Sequence, residues 1–228
     1  MIDLRTDSGP PPTREMRRAV RDTSIQDGEE NAEATIAEVE QTVADMVGAD
    51  AGLFTPTGTM ANQVAVRAHT DPGQEVIVEI QSHIYNREKG ALAEISNVQP
   101  RPVDGGEGAI PSPEQIYNAY FEEKVYQAET GLLALENTHN RHGGIAISPE
   151  KVEAASKAAS ELGIAVHLDG ARIVHAAEHH DCDIKKFTKS MDSVYVDLSK
   201  HGAPAGAVLT GRASFIEQCR RERQRLGG

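Results

Sequence analysis

Cysteine is scarce. Cys182 and Cys219 are the two cysteines in 228 residues, and they form no CxxC pair. This argues against a disulfide framework and fits a reducing cytosol. No apolar run is long enough to span a bilayer, and the opening residues MIDLRTDSG lack the apolar segment of a leader. A cytoplasmic protein with no membrane association is therefore expected. Positive charge is also in short supply: 23 Lys and Arg face 35 Asp and Glu, a net charge of -12. So acidic a surface repels phosphate backbones, and no nucleic-acid partner is expected. The chain shows no internal repeat.

Hydrophobic residues make up 39% of the sequence, enough for one sizeable core. Apolar, β-rich runs alternate with helical patterns. Residues 51–55 (AGLFT), 75–79 (EVIVE), 131–136 (GLLALE), 164–169 (IAVHLD), 193–198 (SVYVDL) and 206–210 (GAVLT) read as strands. Their near-continuous apolar character suits strands covered on both faces. Between them, Thr35 is expected to cap a helix whose apolar positions are Ile36, Val39, Val43 and Val47 and which Gly48 ends. Ser112-Pro113-Glu114-Gln115 and Ser148-Pro149-Glu150 are further start signals with proline at the first helical position. A last helix runs from about Arg212. Residues 100–113, rich in proline and glycine, read as a loop. Strands alternating with helices predict an α/β protein, a three-layer α/β/α sandwich around a mostly parallel sheet.

Three short motifs carry chemistry. Thr55-Pro56-Thr57-Gly58-Thr59 follows a strand and opens a helix. Helix N-terminal amides beside two hydroxyls make a phosphate cup, although a Thr-Gly-Thr turn is equally a good N-cap. His167-Leu168-Asp169-Gly170-Ala171-Arg172 ends a strand, so Asp169 falls at the carboxyl edge of the sheet, where open α/β folds bind ligands. A carboxylate there can keep a pyridine nitrogen protonated, and Arg172 offers a planar fork to a phosphate or carboxylate; a structural Asp-Arg pair is the plainer alternative. Ser199-Lys200 follows another strand and precedes the glycine-containing HGAPAG. A lysine at such a place can form an imine, or it is simply solvated.

Taken in order, a phosphate cup, an aspartate and a lysine at successive strand ends form the layout of pyridoxal 5'-phosphate enzymes of the aspartate aminotransferase fold. The sequence resembles the threonine aldolases and related β-eliminating lyases from end to end. The matching stretches are MIDLRTD at 1–7, TPTGTMANQ at 55–63, AHT at 68–70, SHIY at 82–85, ENTHNRHGG at 136–144, HLDGARI at 167–173, LSK at 198–200 and GAPAGAVLTG at 202–211. The resemblance implies a large domain of fold type I over residues 1–228, with an N-terminal arm at about 1–30, and pyridoxal 5'-phosphate as cofactor. It implies that Gly58 and Thr59 hold the phosphate, His83 stacks on the pyridine ring near the substrate hydroxyl, and Asp169 pairs with the ring nitrogen. Arg172 would hold phosphate or substrate carboxylate, Lys200 would bind the cofactor as its Schiff-base lysine, and Glu88 would be an active-site carboxylate. Thr6 takes a substrate-binding place usually held by serine. The implied substrate is a β-hydroxy-α-amino acid, with β-elimination, transamination or a non-catalytic role as alternatives. The implied assembly is a homodimer or homotetramer that completes the site across an interface.

The sequence also departs from that family. Residues 26–35 (QDGEENAEAT) replace a tyrosine-containing loop, Tyr126 stands where a second histidine is usual, and the loop after Lys200 is one residue shorter. The family's C-terminal small domain and its carboxylate-gripping arginine are absent from these 228 residues, so the chain alone is expected to be a weak or inactive aldolase. Metal is not expected. His175 and His179, four apart on a helix, could ligate zinc, but a solvated helix end explains the cluster from His175 to Asp183 more simply. His139 and His142 are read as shaping a loop near the cofactor.

Overall fold

In the computed structural model of the chain, residues 10–22, 29–122 and 124–228 are described. Seven strands form one sheet: β1 (Ala51–Thr55), β2 (Glu75–Glu79), β3 (Gln99–Val103), β4 (Thr130–Glu136), β5 (Ala165–Asp169), β6 (Ser193–Asp197) and β7 (Ala207–Gly211). The helices are α1 (Arg14–Asp22), α2 (Glu29–Val47), α3 (Gly58–His69), α4 (His83–Asn86), α5 (Ala91–Glu94), α6 (Pro113–Ala119), α7 (Pro149–Glu161), α8 (Ile173–His179), α9 (Lys185–Thr188) and α10 (Ala213–Arg225).

The strand order is β1-β7-β6-β5-β4-β2-β3. From β6 to β3 neighbours run parallel; β7 lies antiparallel to both β6 and β1. Side-chain alternation along each strand feeds two helical layers. Ile77, Leu133, Leu135, Val166, Leu168, Val194, Val196 and Val208 pack with residues of α2, α6, α7 and α8. Val76, Val78, Leu132, Ala134, Tyr195 and Leu209 point the other way, toward α3, α5 and α10. The result is the expected α/β/α sandwich with a mostly parallel sheet. Every residue of β2, β6 and β7 is buried, as strands covered on both faces must be.

The helix signals also act as their chemistry requires. Thr57 Oγ1 accepts the Met60 N–H at 3.1 Å and caps α3. Ser112 and Gln115 close a reciprocal capping box on α6. After α7, Gly163 adopts φ +74°, a left-handed conformation that is easiest for glycine.

Two expectations need correction. Thr35 does not cap α2, which starts six residues earlier at Glu29. Residues 29–34 (EENAEA) are mostly strong helix formers, with acids where the helix dipole favours them. Nor is all of 100–113 a loop, because Gln99–Val103 forms strand β3, which among the described residues is an edge strand paired with β2 alone. The Gln99 N–H donates to Gln74 O at 2.9 Å. Alternation then turns positions 100 and 102 to the open side, where proline's missing donor is not needed. Smaller shifts put the start of β4 at Thr130 and the end of β6 at Asp197. The last helix is a packed element: Ile216 and Cys219 are buried, and the buried Glu222 accepts Arg67 Nε at 2.7 Å.

Candidate active site

The parallel strands β4, β5 and β6 deliver their carboxyl ends to one place. There, Thr57, Gly58, Thr59, His83, Glu136, Thr138, Asn140, Asp169, Ala171, Arg172, Tyr195, Asp197 and Lys200 line a cavity of about 240 Å³. Gly58 and Thr59 open α3, so their N–H groups belong to the set that has no partner within the helix. Arg172 stands just before α8, and Lys200 sits in a short 3-10 turn, Leu198–His201, that follows β6. Two cations and a helix N-terminus thus line the same cavity.

Carboxylates line the cavity as well. Asp169 lies next to Glu136 in the β4–β5 register. Glu136 is 7% exposed; its Oε2 accepts the His83 N–H at 2.6 Å and its Oε1 the Asn140 N–H at 3.0 Å. Burial, and then the Asp169 charge, push its carboxyl up to about 7. Tyr195 hydrogen-bonds Asp169, and burial followed by that charge holds its phenol well above 10.

Alternation on β5 turns His167 and Asp169 toward α3, where Asn62, one turn after Gly58, meets both. Asn62 Nδ2 donates to Asp169 Oδ2 at 3.0 Å and to Glu88 Oε1 at 2.7 Å, and Asn62 Oδ1 lies 3.0 Å from His167 Nε2. Since the Asn62 oxygen can only accept, His167 carries its proton on Nε2. His167 Nδ1 then accepts from Ser193 Oγ at 2.8 Å, and Ser193 Oγ lies 2.8 Å from His69 Nε2. Burial pulls His167 down to about 3 and His69 to about 4, so both stay neutral.

The site residues expected from the sequence fall into three groups. Gly58, Thr59, His83, Asp169, Arg172 and Lys200 line the cavity together. Glu88 does not reach it. This buried carboxyl lies behind His83, accepting His83 Nδ1 at 3.0 Å and Gln63 Nε2 at 2.7 Å as well as Asn62. The hydrogen bond to Glu88 is the largest influence raising the His83 imidazole above its usual 6.5, while burial raises Glu88 itself. Thr6 lies outside the described residues. Tyr126 is 97% exposed on a tight turn away from the cavity. The His175–Asp183 cluster is not among the described groups of ligand atoms close enough to share an ion; His175 instead faces His201, with ring centroids 5.1 Å apart.

Sequence reasoning missed Asn62, Glu136 and Tyr195. Asn62 and Glu136 lie inside the quoted stretches TPTGTMANQ and ENTHNRHGG, but their partners are distant in sequence. Gly58 also has a second purpose. A Cβ there would meet Tyr195 Oη at 2.9 Å, so α3 and Tyr195 can approach only through a glycine.

The donor set fits pyridoxal 5'-phosphate. Helix amides and Arg172 suit a phosphate, the buried Asp169 suits a protonated ring nitrogen, and the Lys200 amine suits an aldehyde.

Comparison with known proteins agrees with this fit. The sequence model of the beta-eliminating lyase family matches residues 3–228. Low-specificity L-threonine aldolase 1 of Arabidopsis thaliana is 37% identical over 231 residues, a match covering all of this chain and 64% of the plant protein. The low specificity L-threonine aldolase of Escherichia coli K12 is 35% identical, with 68% of its length covered. Among solved structures, a candidate L-allo-threonine aldolase from Listeria monocytogenes superposes with a TM-score of 0.79 at 26% identity, covering 96% of this chain and 61% of that one. The chain therefore spans roughly two thirds of the length of these relatives.

Proposed function

The chain belongs to the beta-eliminating lyase family, and from that premise we propose that residues 1–228 form the pyridoxal 5'-phosphate-binding large domain, with an N-terminal arm at about 1–30, of an aldehyde-lyase. Its reaction is the cleavage of β-hydroxy-α-amino acids such as L-threonine to glycine and an aldehyde. The observation that carries this reading is the single cavity shared by the α3 N-terminus, His83, Asp169, Arg172 and Lys200. When bound, the cofactor supplies the electron sink for charge released at Cα.

Each side chain then has a task of its own. The Gly58 and Thr59 amides hold the phosphate. Arg172 holds phosphate or the substrate carboxylate, and Thr6 contributes to the latter. Asp169 keeps the proton on the ring nitrogen, with Asn62 and Tyr195 fixing its carboxylate. Lys200 Nζ holds the cofactor covalently. His83 would lie against the cofactor ring and would take the β-hydroxyl proton through Nε2, because Nδ1 is engaged by Glu88. Glu88 is thus a positioning residue that also makes His83 more basic. Assembly into a homodimer or homotetramer completes the site.

Reconstitution with pyridoxal 5'-phosphate tests the reading. Borohydride fixation should label Lys200 on peptide mapping, and threonine should yield acetaldehyde and glycine. A label elsewhere, or no binding, overturns it. The family's name favours β-elimination as a second reading; keto acid plus ammonia in place of acetaldehyde would establish that one.

A further inference from the structure

The 136–144 loop also carries a cluster given no task in that reaction, although His139 Nε2 lies 4.0 Å from Glu136 Oε2. Glu79 ends β2, His139 immediately precedes the short 3-10 turn Asn140–His142, and His142 ends it. His139 Nε2 lies 2.9 Å from Glu79 Oε2, and His142 Nε2 lies 3.3 Å from Glu79 Oε1. The two imidazoles meet edge to face, with centroids 4.6 Å apart, and one ligand atom from each of the three residues lies within 4.8 Å of the others. We propose that Glu79, His139 and His142 bind a divalent transition metal ion, zinc, with water as the fourth ligand.

The geometry suits that ion. Zinc–nitrogen bonds of about 2.0–2.1 Å in a tetrahedron place neighbouring ligand atoms about 3.3 Å apart; the two imidazoles lie 2.9 and 3.3 Å from different Glu79 oxygens, and one ligand atom from each residue falls within 4.8 Å of the others. Two imidazoles and one carboxylate select a borderline ion such as zinc over calcium or magnesium. Glu79 and His139 are buried, whereas the His142 side chain is 24% exposed. His142 therefore marks both an entry path and room for a water ligand.

The site is also held in shape. The Gln81 N–H donates to Glu79 Oε2 at 2.6 Å and the Gly105 N–H to Oε1 at 3.3 Å, which orients the carboxylate. The His139 and Ile145 backbones pair at 2.9 Å, and Gly143 and Gly144 turn the loop with φ of +76° and +77°. Among the described residues no lysine or arginine pairs with the buried Glu79. His139 Nδ1 has no partner, so shifting its proton there to free Nε2 for the metal breaks no hydrogen bond at Nδ1. Thr138 and Asn140, on either side of His139, line the cavity described above, so a bound ion would clamp that wall.

The test needs no cofactor. The 228-residue chain is stripped with a chelator and titrated with zinc against a chromogenic competitor, with melting followed in parallel. One zinc per chain and a raised melting temperature are expected. His142→Ala, a change at a partly exposed position, should keep its circular dichroism spectrum and bind zinc at least about 100-fold more weakly. Glu79→Gln should do the same, while a His175→Ala/His179→Ala variant should bind like the unaltered chain. No stoichiometric binding by the unaltered chain overturns the proposal. So does equal affinity in His142→Ala, or loss of binding in the His175/His179 variant.

Discussion

Replacing Asn62 with leucine keeps nearly the same volume and removes every polar contact the residue makes. Asn62 is fully buried and serves three partners through one amide: Glu88 at 2.7 Å, Asp169 at 3.0 Å and His167 at 3.0 Å. Two of these are hydrogen bonds to carboxyl groups, about 1.5–3 kcal/mol each if charged, and the third is neutral, about 0.5–1.5 kcal/mol. Their sum is about 3.5–7.5 kcal/mol, and the apolar transfer of leucine offsets roughly 1–3 kcal/mol of it. A net destabilisation of about 3 kcal/mol is expected. With a urea m-value of about 2–3 kcal/mol/M, the unfolding midpoint should fall by about 1–1.5 M at unchanged m. Asn62→Asp supplies a contrast, since it puts a third carboxylate beside the other two. Its deficit should be larger at pH 8 than at pH 5, where protonation relieves the repulsion. If the Leu variant shifts the midpoint by less than about 0.5 M, Asn62 is filler and the polar hub described above is wrong.

Gly58→Ala should force Tyr195 or the first turn of α3 aside, costing about 1–3 kcal/mol in urea unfolding and weakening pyridoxal 5'-phosphate binding; a normal cofactor titration would refute the contact. Glu88→Gln should lower the His83 pKa followed by NMR, because the Glu88 hydrogen bond is its largest upward influence. His83 is raised in the folded state, so its contribution to stability is present below about 6.5 and fades as pH rises through the folded value; the variant should lack that fade. Glu136 should titrate at about 7 by carbon-13 NMR and move down in Asp169→Asn; being raised, it withdraws stability as pH climbs from about 4.5 through 7. His167 acts in the opposite sense: lowered to about 3, it contributes stability above about 6.5 that is lost as pH falls, about 2 kcal/mol between pH 6.5 and 5. In His167→Phe that acid-side slope should flatten, and an unchanged slope would exclude His167 as its source.

What could be read directly was local. A strand covered on both faces is written as a run of neighbouring apolar residues, and β2, β6 and β7 were legible for that reason. Caps act over three or four residues, which made the starts of α6 and α7 legible too. The order of Gly58, Asp169 and Lys200 at strand ends, together with the matching stretches around them, pointed to the chemistry before any contact was known. Strand β3 escaped because its prolines are tolerable only at an edge, and edge position is a property of the whole sheet.

The chain's own order of residues therefore determined which segments become strands and helices, and which side chains stand at the carboxyl edge. Only the tertiary structure decided their partners. It set β7 antiparallel between β1 and β6, placed Glu136 beside Asp169, put Glu88 behind His83 instead of in the cavity, and gathered Glu79 with His139 and His142. The physical reason is range. Capping and periodicity are settled by neighbours within a turn or two, whereas the Asn62–Asp169 and Glu79–His139 contacts join residues 107 and 60 positions apart. Such contacts exist only once the sheet register and the packing of α3 have brought those backbones together.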